Sequence, residues 1–588
     1  MELVMDNSYT RIDFTEGDEF KKIVEEELHF KLGVKEDGYV YSPAYKNGFW
    51  DGIIDFYESD KQRFPTGLVP KVEEILGELQ EKISFTYTVI DDRPDAFVPL
   101  EELPDKVTLL DDEVGEITLR DYQYEAFRAT LENRMSVLHL AVNSGKTEVA
   151  GAFIKEVYNR LEPGETIAFF TMSKEIFNQT HKRLEQRLGI KVGKYGAGKK
   201  DLKKVNVVMV PTVSASLKID PEKGVKLTAK ERVIKKMAKD IAPKYSKGIN
   251  QKTLLKAFLM NFEVKTKADA DLVFEIEKII YESESDAKVK FKLKGYVVKY
   301  EKILEKKNEK KLKKKKEVLE FLHSIVAFVS DEHQHVSADS LYNTLLACEN
   351  AIYRVGLSGS IDQKNKMLLR RIEAVTGKVT SRTTTEFLVE EGHSAKPYIT
   401  LTSIYGVEQN NEQVNITGLK DYQQVYENGI VRNEYRNKLI AKITEMCYNE
   451  GKGVLVIVNR IEHGETISML LDLLSVPHEF LQGEVVDEER EAKLSLMRNG
   501  ELKVMIATSI MDEGVDISGI DVLVLGAGGK SLRQTVQRVG RAIRKKKDKE
   551  NKAQIYDFYD RTHDYLFRHS KARHKIYEDE NFDISFIE

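Results

Sequence analysis

Residues 143–147, Asn-Ser-Gly-Lys-Thr, gather the groups that phosphate chemistry needs. Peptide N–H groups in a loop of small residues, and at the start of a helix, present partial positive charge to an anion. From such a loop Lys146 reaches the β- and γ-phosphates of a nucleotide, and Thr147 offers its hydroxyl to Mg²⁺. The pattern opens on glycine elsewhere, whereas Leu140 stands in that place here, so the spacing matches in part. A Ser-Gly turn ahead of a surface lysine is the plain alternative.

Further chemistry-bearing stretches follow in order. Asp331 and Glu332 open the tetrapeptide Asp-Glu-His-Gln; the first suits a Mg²⁺ shell, the second orienting or deprotonating an attacking water. His333 and His335 invite a metal reading that no other ligand cluster supports. Ser358-Gly359-Ser360 supplies small hydroxyls able to pass hydrogen bonds between moving parts. Residues 508–516 run Thr-Ser-Ile-Met-Asp-Glu-Gly-Val-Asp, and residues 537–544 run Gln-Arg-Val-Gly-Arg-Ala-Ile-Arg. Arg541 and Arg544, three apart on a helix, project from one face, and two planar guanidinium groups suit a triphosphate in its transition state. Gln123 carries donor and acceptor atoms on one amide, as reading an adenine edge requires; a helix-cap glutamine is the alternative.

The elements that must position these groups alternate. Apolar strand-like runs at 136–140, 166–171, 205–210, 325–330 and 352–357 are separated by helix-like segments, such as 148–158 and one ending at Leu188. That alternation predicts a parallel sheet with crossover helices. A carboxylate at the end of the 325–330 strand then shares the sheet edge of the phosphate loop. A second α/β series starts near residue 400, with strands at 453–459, 479–482, 504–507 and 522–525 and helices at 464–474, 487–498 and 531–544.

Composition fits this reading. Hydrophobic residues make up 41% and charged residues 32% of 588, enough for several domains with highly charged surfaces. Two cysteines, Cys348 and Cys447, exclude a disulfide framework or a cysteine metal cluster. No apolar run is long enough to span a bilayer and the opening residues lack a signal-peptide pattern, so a soluble cytoplasmic protein with no membrane partner is expected. The net charge of −5 conceals residues 221–320, where 28 Lys and Arg face 16 Asp and Glu. This block interrupts the strand–helix rhythm from 218 to 322. It reads as mostly helical, with a hairpin expected at 288–298, and its lysine run at 306–316 is a solvated face, a phosphate-tracking surface or a protein-docking arm.

Residues 1–110 hold half of the prolines and form a turn-rich module, with short strands at 12–14, 39–41, 53–57 and 83–90 and helices at 16–28 and 70–83. Its only tryptophan, Trp50, lies in the stretch 43–52 with Lys46, Phe49, Asp51 and Gly52. Either Trp50 fills a small core and Asp51-Gly52 turns a hairpin, or the aromatics contact nucleic acid.

Taken together and in this order, Gln123, loop 140–147, residues 331–334, 358–360, 508–516 and 537–544 resemble the superfamily 2 helicases. Within them the chain is similar to the phage UvsW-type recombination helicases. That likeness rests on 46–52 (Lys-Asn-Gly-Phe-Trp-Asp-Gly), 64–69 (Phe-Pro-Thr-Gly-Leu-Val), the Leu-headed loop and 354–361 (Arg-Val-Gly-Leu-Ser-Gly-Ser-Ile). The resemblance implies an α/β fold of two tandem RecA-like parallel-sheet domains, 113–400 and 401–588. A small α+β N-terminal domain, 1–112, would precede them, and the Lys-rich helical insertion 218–322 would interrupt the first. It implies ATP and Mg²⁺ as cofactors, with Arg120, Gln123, Asn143, Ser144, Gly145, Lys146, Thr147, Gly514 and Asp516 around the nucleotide and Thr147 and Asp331 around the metal. Lys146, Asp331, Glu332, Gln537, Arg541 and Arg544 would carry catalysis. Lys46, Trp50, Thr212, Ser358 and Thr508 would contact nucleic acid. Branched or double-stranded DNA, including RNA–DNA hybrids, is the expected partner, with an RNA-remodelling ATPase and a duplex-translocating subunit as alternatives. The insertion matches nothing in that family, which leaves a protein partner there as a further expectation.

Overall fold

The computed structural model describes the chain except residues 16–18, 113, 219–226, 243–250, 261, 263, 265–266, 483–486, 509–519 and 530–551. It divides into two compact units: Met1–Pro211 with His323–Glu588, and Thr212–Leu322.

Two large sheets dominate the first unit. The first has eight strands, ordered Lys199–Asp201, Gly193–Gly196, Val205–Met209, Thr166–Thr171, Ile325–Ser330, Tyr353–Ser358, Met135–Leu140 and Val379–Thr383. All its pairings are parallel except that of the Lys199–Asp201 edge. Helices cover both faces of such a sheet, so central strands are buried along their whole length rather than on alternate residues; every residue of Ile325–Ser330 and Tyr353–Ser358 is buried. The departure at Leu140 has the same cause. It is the last residue of its strand, fully buried in the main core, where a side chain stabilises and a glycine would leave a void.

The second sheet has seven parallel strands, ordered Glu479–Leu481, Val504–Thr508, Val454–Val458, Val522–Leu525, Lys552–Asp560, Lys396–Ile404 and Asp583–Ile587. Alternation along Val454–Val458 sends Leu455 and Ile457 into one core and Val454, Val456 and Val458 into another. Lys396–Ile404 belongs here, so the second sheet's first strand begins before residue 400. Two tandem parallel α/β sheets, with smaller α+β and helical parts, are the architecture.

At the N-terminus, strands Arg63–Pro65, Tyr9–Asp13, Glu2–Met5 and Thr88–Asp91 form a sheet packed by helices Lys21–Leu32 and Val69–Gln80. Several expected strands shrink or change type: 39–41 is one 3₁₀ turn, 53–57 reduces to Ile53–Ile54, and 83–90 to Thr88–Asp91. Asp51-Gly52 is not a two-residue hairpin turn. Ile53–Ile54 pairs with Val34–Lys35, and the intervening chain makes two short helical turns. Asp51 instead bonds the Ile53 amide at 3.0 Å and the His29 ring at 2.7 Å.

This module docks tightly on the first large sheet's helices. A Cβ on Gly67 would lie 2.0 Å from the Glu373 carbonyl, on helix Lys366–Thr376. Gly67→Val should therefore force the surfaces apart and lower stability by about 1–3 kcal/mol, measurable as a drop in thermal midpoint; an unchanged midpoint would mean the contact yields freely. Buried Arg354 strengthens the junction. It donates to Ser8 Oγ and, at 2.7 Å, to the Cys348 carbonyl.

The second unit is helical: Ala229–Lys236, Gln251–Met260, Lys267–Glu282 and the long Asp286–His323, which kinks at Asn308. No hairpin exists at 288–298. The alternating lysines there suggested period two, but the buried residues Val289, Leu293, Tyr300 and Leu304 recur at helical spacing, and that stripe packs the unit's core. Among the described residues, no helix is long and apolar enough to cross a membrane.

Candidate nucleotide site

Parallel strands of one sheet point their carboxyl ends the same way, and loops beyond that edge form the natural ligand crevice. Three adjacent strands, Met135–Leu140, Tyr353–Ser358 and Ile325–Ser330, deliver the phosphate loop, Ser358-Gly359-Ser360 and Asp331-Glu332 to one edge.

The loop turns through two left-handed residues, Asn143 at φ +70° and Gly145 at φ +83°, before helix Lys146–Tyr158 begins. Gly145 is required twice over, by that angle and because a Cβ would lie 2.2 Å from Gln123 Nε2. Gln123, 5% exposed, lies beneath the loop. Its Nε2 donates to the Ser144 carbonyl at 2.8 Å and its Oε1 accepts from the Arg120 amide at 2.9 Å. Tyr122 donates to the same carbonyl at 2.9 Å and accepts from Arg120 at 3.0 Å. Ser144 Oγ, fully buried, finds no hydrogen-bond partner among the described residues. Glu148 fixes the helix from behind through Arg183 at 2.5 Å and Arg187 at 3.3 Å. Burial opposes the Glu148 charge, yet Arg183 and Arg187 hold its pKa below the usual range.

Lys146 leans over Gly359, where a Cβ would meet its Nζ at 2.8 Å. Asp331 follows the buried strand, and its pKa is pushed up to about 6 by burial and by Glu332, with Lys146 opposing. A carboxylate destabilised in this way is ready for a cation. Hard oxygen donors from Asp331 and Thr147, beside a loop with an orphaned hydroxyl, fit Mg²⁺ and a phosphate chain. Glu332 adopts φ +45°, a conformation that costs about 1–3 kcal/mol for a non-glycine residue and concentrates at functional sites. Its amide donates to Asp331 Oδ1 at 2.9 Å, and Gln334 Nε2 donates to its carboxylate. Ser358 Oγ donates to Gln334 Oε1, completing a line of contacts from Glu332 to the 358–360 turn.

His333 is fully buried, bonds Thr376 Oγ1 at 2.8 Å, and has a pKa pushed down to about 3 by burial. A neutral imidazole packed in this way is structural, and no metal-ligating cluster occurs among the described residues.

In the second sheet, Thr508 ends its strand with Oγ1 buried and without a hydrogen-bond partner among the described residues. Thr212 lies on helix Val210–Leu217. Gly514, Asp516, Gln537, Arg541 and Arg544 lie outside the described residues. Two buried ion pairs, unmarked by any motif, brace the loop that leads toward the arginines. Arg436 pairs with Asp560 at 3.0 Å and donates to the Gly526 carbonyl at 2.7 Å. Arg573 pairs with Asp557 at 2.8 Å and donates to the Gly529 carbonyl at 2.6 Å. Burial opposes the Arg573 charge, but Asp557 outweighs it and raises the pKa. In the N-terminal module Lys46 is exposed, and half-buried Trp50 donates to the Ile53 carbonyl at 2.7 Å. Phe49 beside it is 85% exposed.

Residues 116–241 match the family model "Type III restriction enzyme, res subunit", and residues 436–546 match "Helicase conserved C-terminal domain". The ATP-dependent DNA helicase uvsW of Enterobacteria phage T4 is 24% identical over 287 residues, covering 46% of this chain and 55% of that protein. Putative helicase 22 of Sulfolobus islandicus filamentous virus is 27% identical over 345 residues, covering 57% and 58%. These matches span a little over half the length of the curated relatives. The crystal structure of T4 UvsW aligns with a TM-score of 0.40 at 16% identity, over 100% of this chain and 99% of that one. The two matched regions stand in sequence order and the relatives named are helicases, so the chain is similar to the ATP-dependent superfamily 2 helicases.

Proposed function

We propose that the chain is an ATP-driven motor that remodels branched DNA in recombination, replication or repair. The observation that carries this reading is the convergence of Lys146, Asp331 and the Glu332–Gln334–Ser358 line of hydrogen bonds on one sheet edge. Lys146 binds the β- and γ-phosphates of ATP, while the loop amides and Ser144 Oγ line the phosphate chain. Thr147 and Asp331 would hold Mg²⁺, which supplies charge neutralisation at the transferring phosphoryl group. Arg120 and Gln123 flank the nucleotide, and Gly514 and Asp516 complete its surroundings from the second domain. Glu332 orients the attacking water and accepts its proton, and Arg541 and Arg544 meet the charge developing on the γ-phosphate, with Gln537 beside them. Loss of that charge changes the hydrogen bond from Gln334 to Glu332, and Ser358 passes the change to a bound nucleic-acid strand that Thr508 also contacts, with Thr212 as a separate contact to nucleic acid. Residues 1–112, with Lys46 and Trp50, add a contact to duplex DNA.

The test is a panel of Holliday junctions, forks, R-loops, linear duplex, single strands and RNA, scored for stimulated ATP turnover and strand separation. Branched DNA should stimulate and be remodelled. Glu332→Gln should lower turnover at least about a hundredfold and leave DNA binding in place. Stimulation by RNA alone, or wild-type turnover in the variant, would contradict the reading.

A further inference from the structure

In the helical unit, helices Lys267–Glu282 and Asp286–His323 enclose, with Ala229–Lys236, a groove of about 620 Å³. Phe274 and Phe291 line it from the two longer helices and stand 64% and 79% exposed. Exposed phenylalanines of this kind contribute nothing to the unit's core, which is built from Val289, Leu293, Leu272 and Ile276. Gly295, in the interior of the long helix, lines the same groove with nothing within 4 Å of where its Cβ would be. A helical glycine costs about 1 kcal/mol relative to alanine, and no close packing contact requires this one; its effect is to keep the groove open.

The charge around the groove is ordered as well. At 100° per residue, Lys292, Gly295, Lys299, Lys302 and Lys306 fall on one stripe of the long helix, spanning about 21 Å before the kink at Asn308. Lys299, Lys302 and Lys306 are exposed. Of the three acidic residues lining the groove, Glu282 pairs with Lys292 at 3.1 Å and Glu275 accepts from the Tyr296 hydroxyl, which leaves Asp271 against the lining lysines Lys230, Lys278 and Lys299. A row of lysines leading past an open slot between two exposed aromatic rings matches a backbone of phosphates carrying a stackable base.

We propose that this groove is a second nucleic-acid site, which binds single-stranded DNA or RNA with phosphates along Lys299, Lys302 and Lys306 and a base between Phe274 and Phe291. The ligand class rests on the reading of the chain as a nucleic-acid motor; the site does not depend on ATP turnover. The lysine stripe favours this occupant over a protein segment.

The test uses the full chain without nucleotide and a fluorescein-labelled oligothymidylate or oligouridylate, with anisotropy read across a salt series. Phe274→Ala with Phe291→Ala should weaken binding about tenfold and leave the salt dependence unchanged. Replacing Lys299, Lys302 and Lys306 together by glutamine should flatten the logarithmic salt slope by about 2. Gly295→Leu should fill the groove and weaken binding while the thermal midpoint holds or rises, because leucine is the better helix former. A weaker oligonucleotide complex in a variant that is no less stable separates a binding role from a packing role. Wild-type affinity and slope in all of these variants would overturn the proposal, and so would intact oligonucleotide binding combined with loss of a protein partner. Failure of the ATP assignment would appear separately, as turnover that survives Lys146→Ala.

Discussion

Lys146→Ala should abolish ATP turnover, by at least a factor of about 10²–10³, while binding to forked DNA stays within about twofold of the unaltered chain. Lys146 comes from the first turn of the helix that follows the phosphate loop, and it is the cation opposing the raised pKa of Asp331. Its removal leaves the half-buried carboxylates of Asp331 and Glu332 without that counter-charge. The strand-contacting residues proposed above, Ser358 and Thr508, sit at the ends of sheet strands and do not rely on the lysine for their positions. Phosphate release and anisotropy on the same preparation measure both quantities. Turnover near the wild-type rate would remove Lys146 from the chemistry, and parallel loss of DNA binding would point to a folding defect.

Arg573→Ala should be the most damaging single change to the second α/β domain, at about 3–5 kcal/mol. The guanidinium is 4% exposed and bonds Asp557, which is 0% exposed and also accepts from Tyr577 at 2.8 Å. Truncation strands a buried carboxylate and frees the Gly529 carbonyl that Arg573 holds. Stability at neutral pH should fall steeply and partly recover in Arg573→Met combined with Asp557→Asn, where no isolated charge remains. Urea unfolding followed by far-ultraviolet circular dichroism reads this, with exposed Lys575→Ala as a control expected to change stability by less than about 0.5 kcal/mol. A loss under about 1 kcal/mol for Arg573→Ala would show that water reaches Asp557.

Much of this architecture is legible in the amino-acid sequence. Runs such as 325–329 and 522–525 are apolar along their whole length because helices cover both faces of their sheets, and a run of that kind reads directly as a central parallel strand. The phosphate loop was legible because its neighbours in sequence are its neighbours in space. Side-chain contacts across the fold were not. Ser358 and Gln334 lie 24 residues apart, and Arg354 and Ser8 lie 346 apart, with no local pattern to announce either pair. No local pattern marks Arg436 and Arg573 as buried, since burial is decided by what packs over them. The 288–298 segment misled for a different reason. Alternating lysines imitate a strand, and only the buried stripe Val289, Leu293, Tyr300 and Leu304 reveals the helix. Short N-terminal strands were overextended because the ends of short elements are set by tertiary pairing rather than by propensity.

The most direct measurement of the central claim is steady-state ATP hydrolysis by the unaltered chain, with Mg²⁺, as forked DNA is titrated in. The account predicts slow basal turnover that rises to saturation with DNA and disappears in Lys146→Ala. Tight DNA binding with no ATP turnover, across every DNA and RNA structure offered, would contradict it.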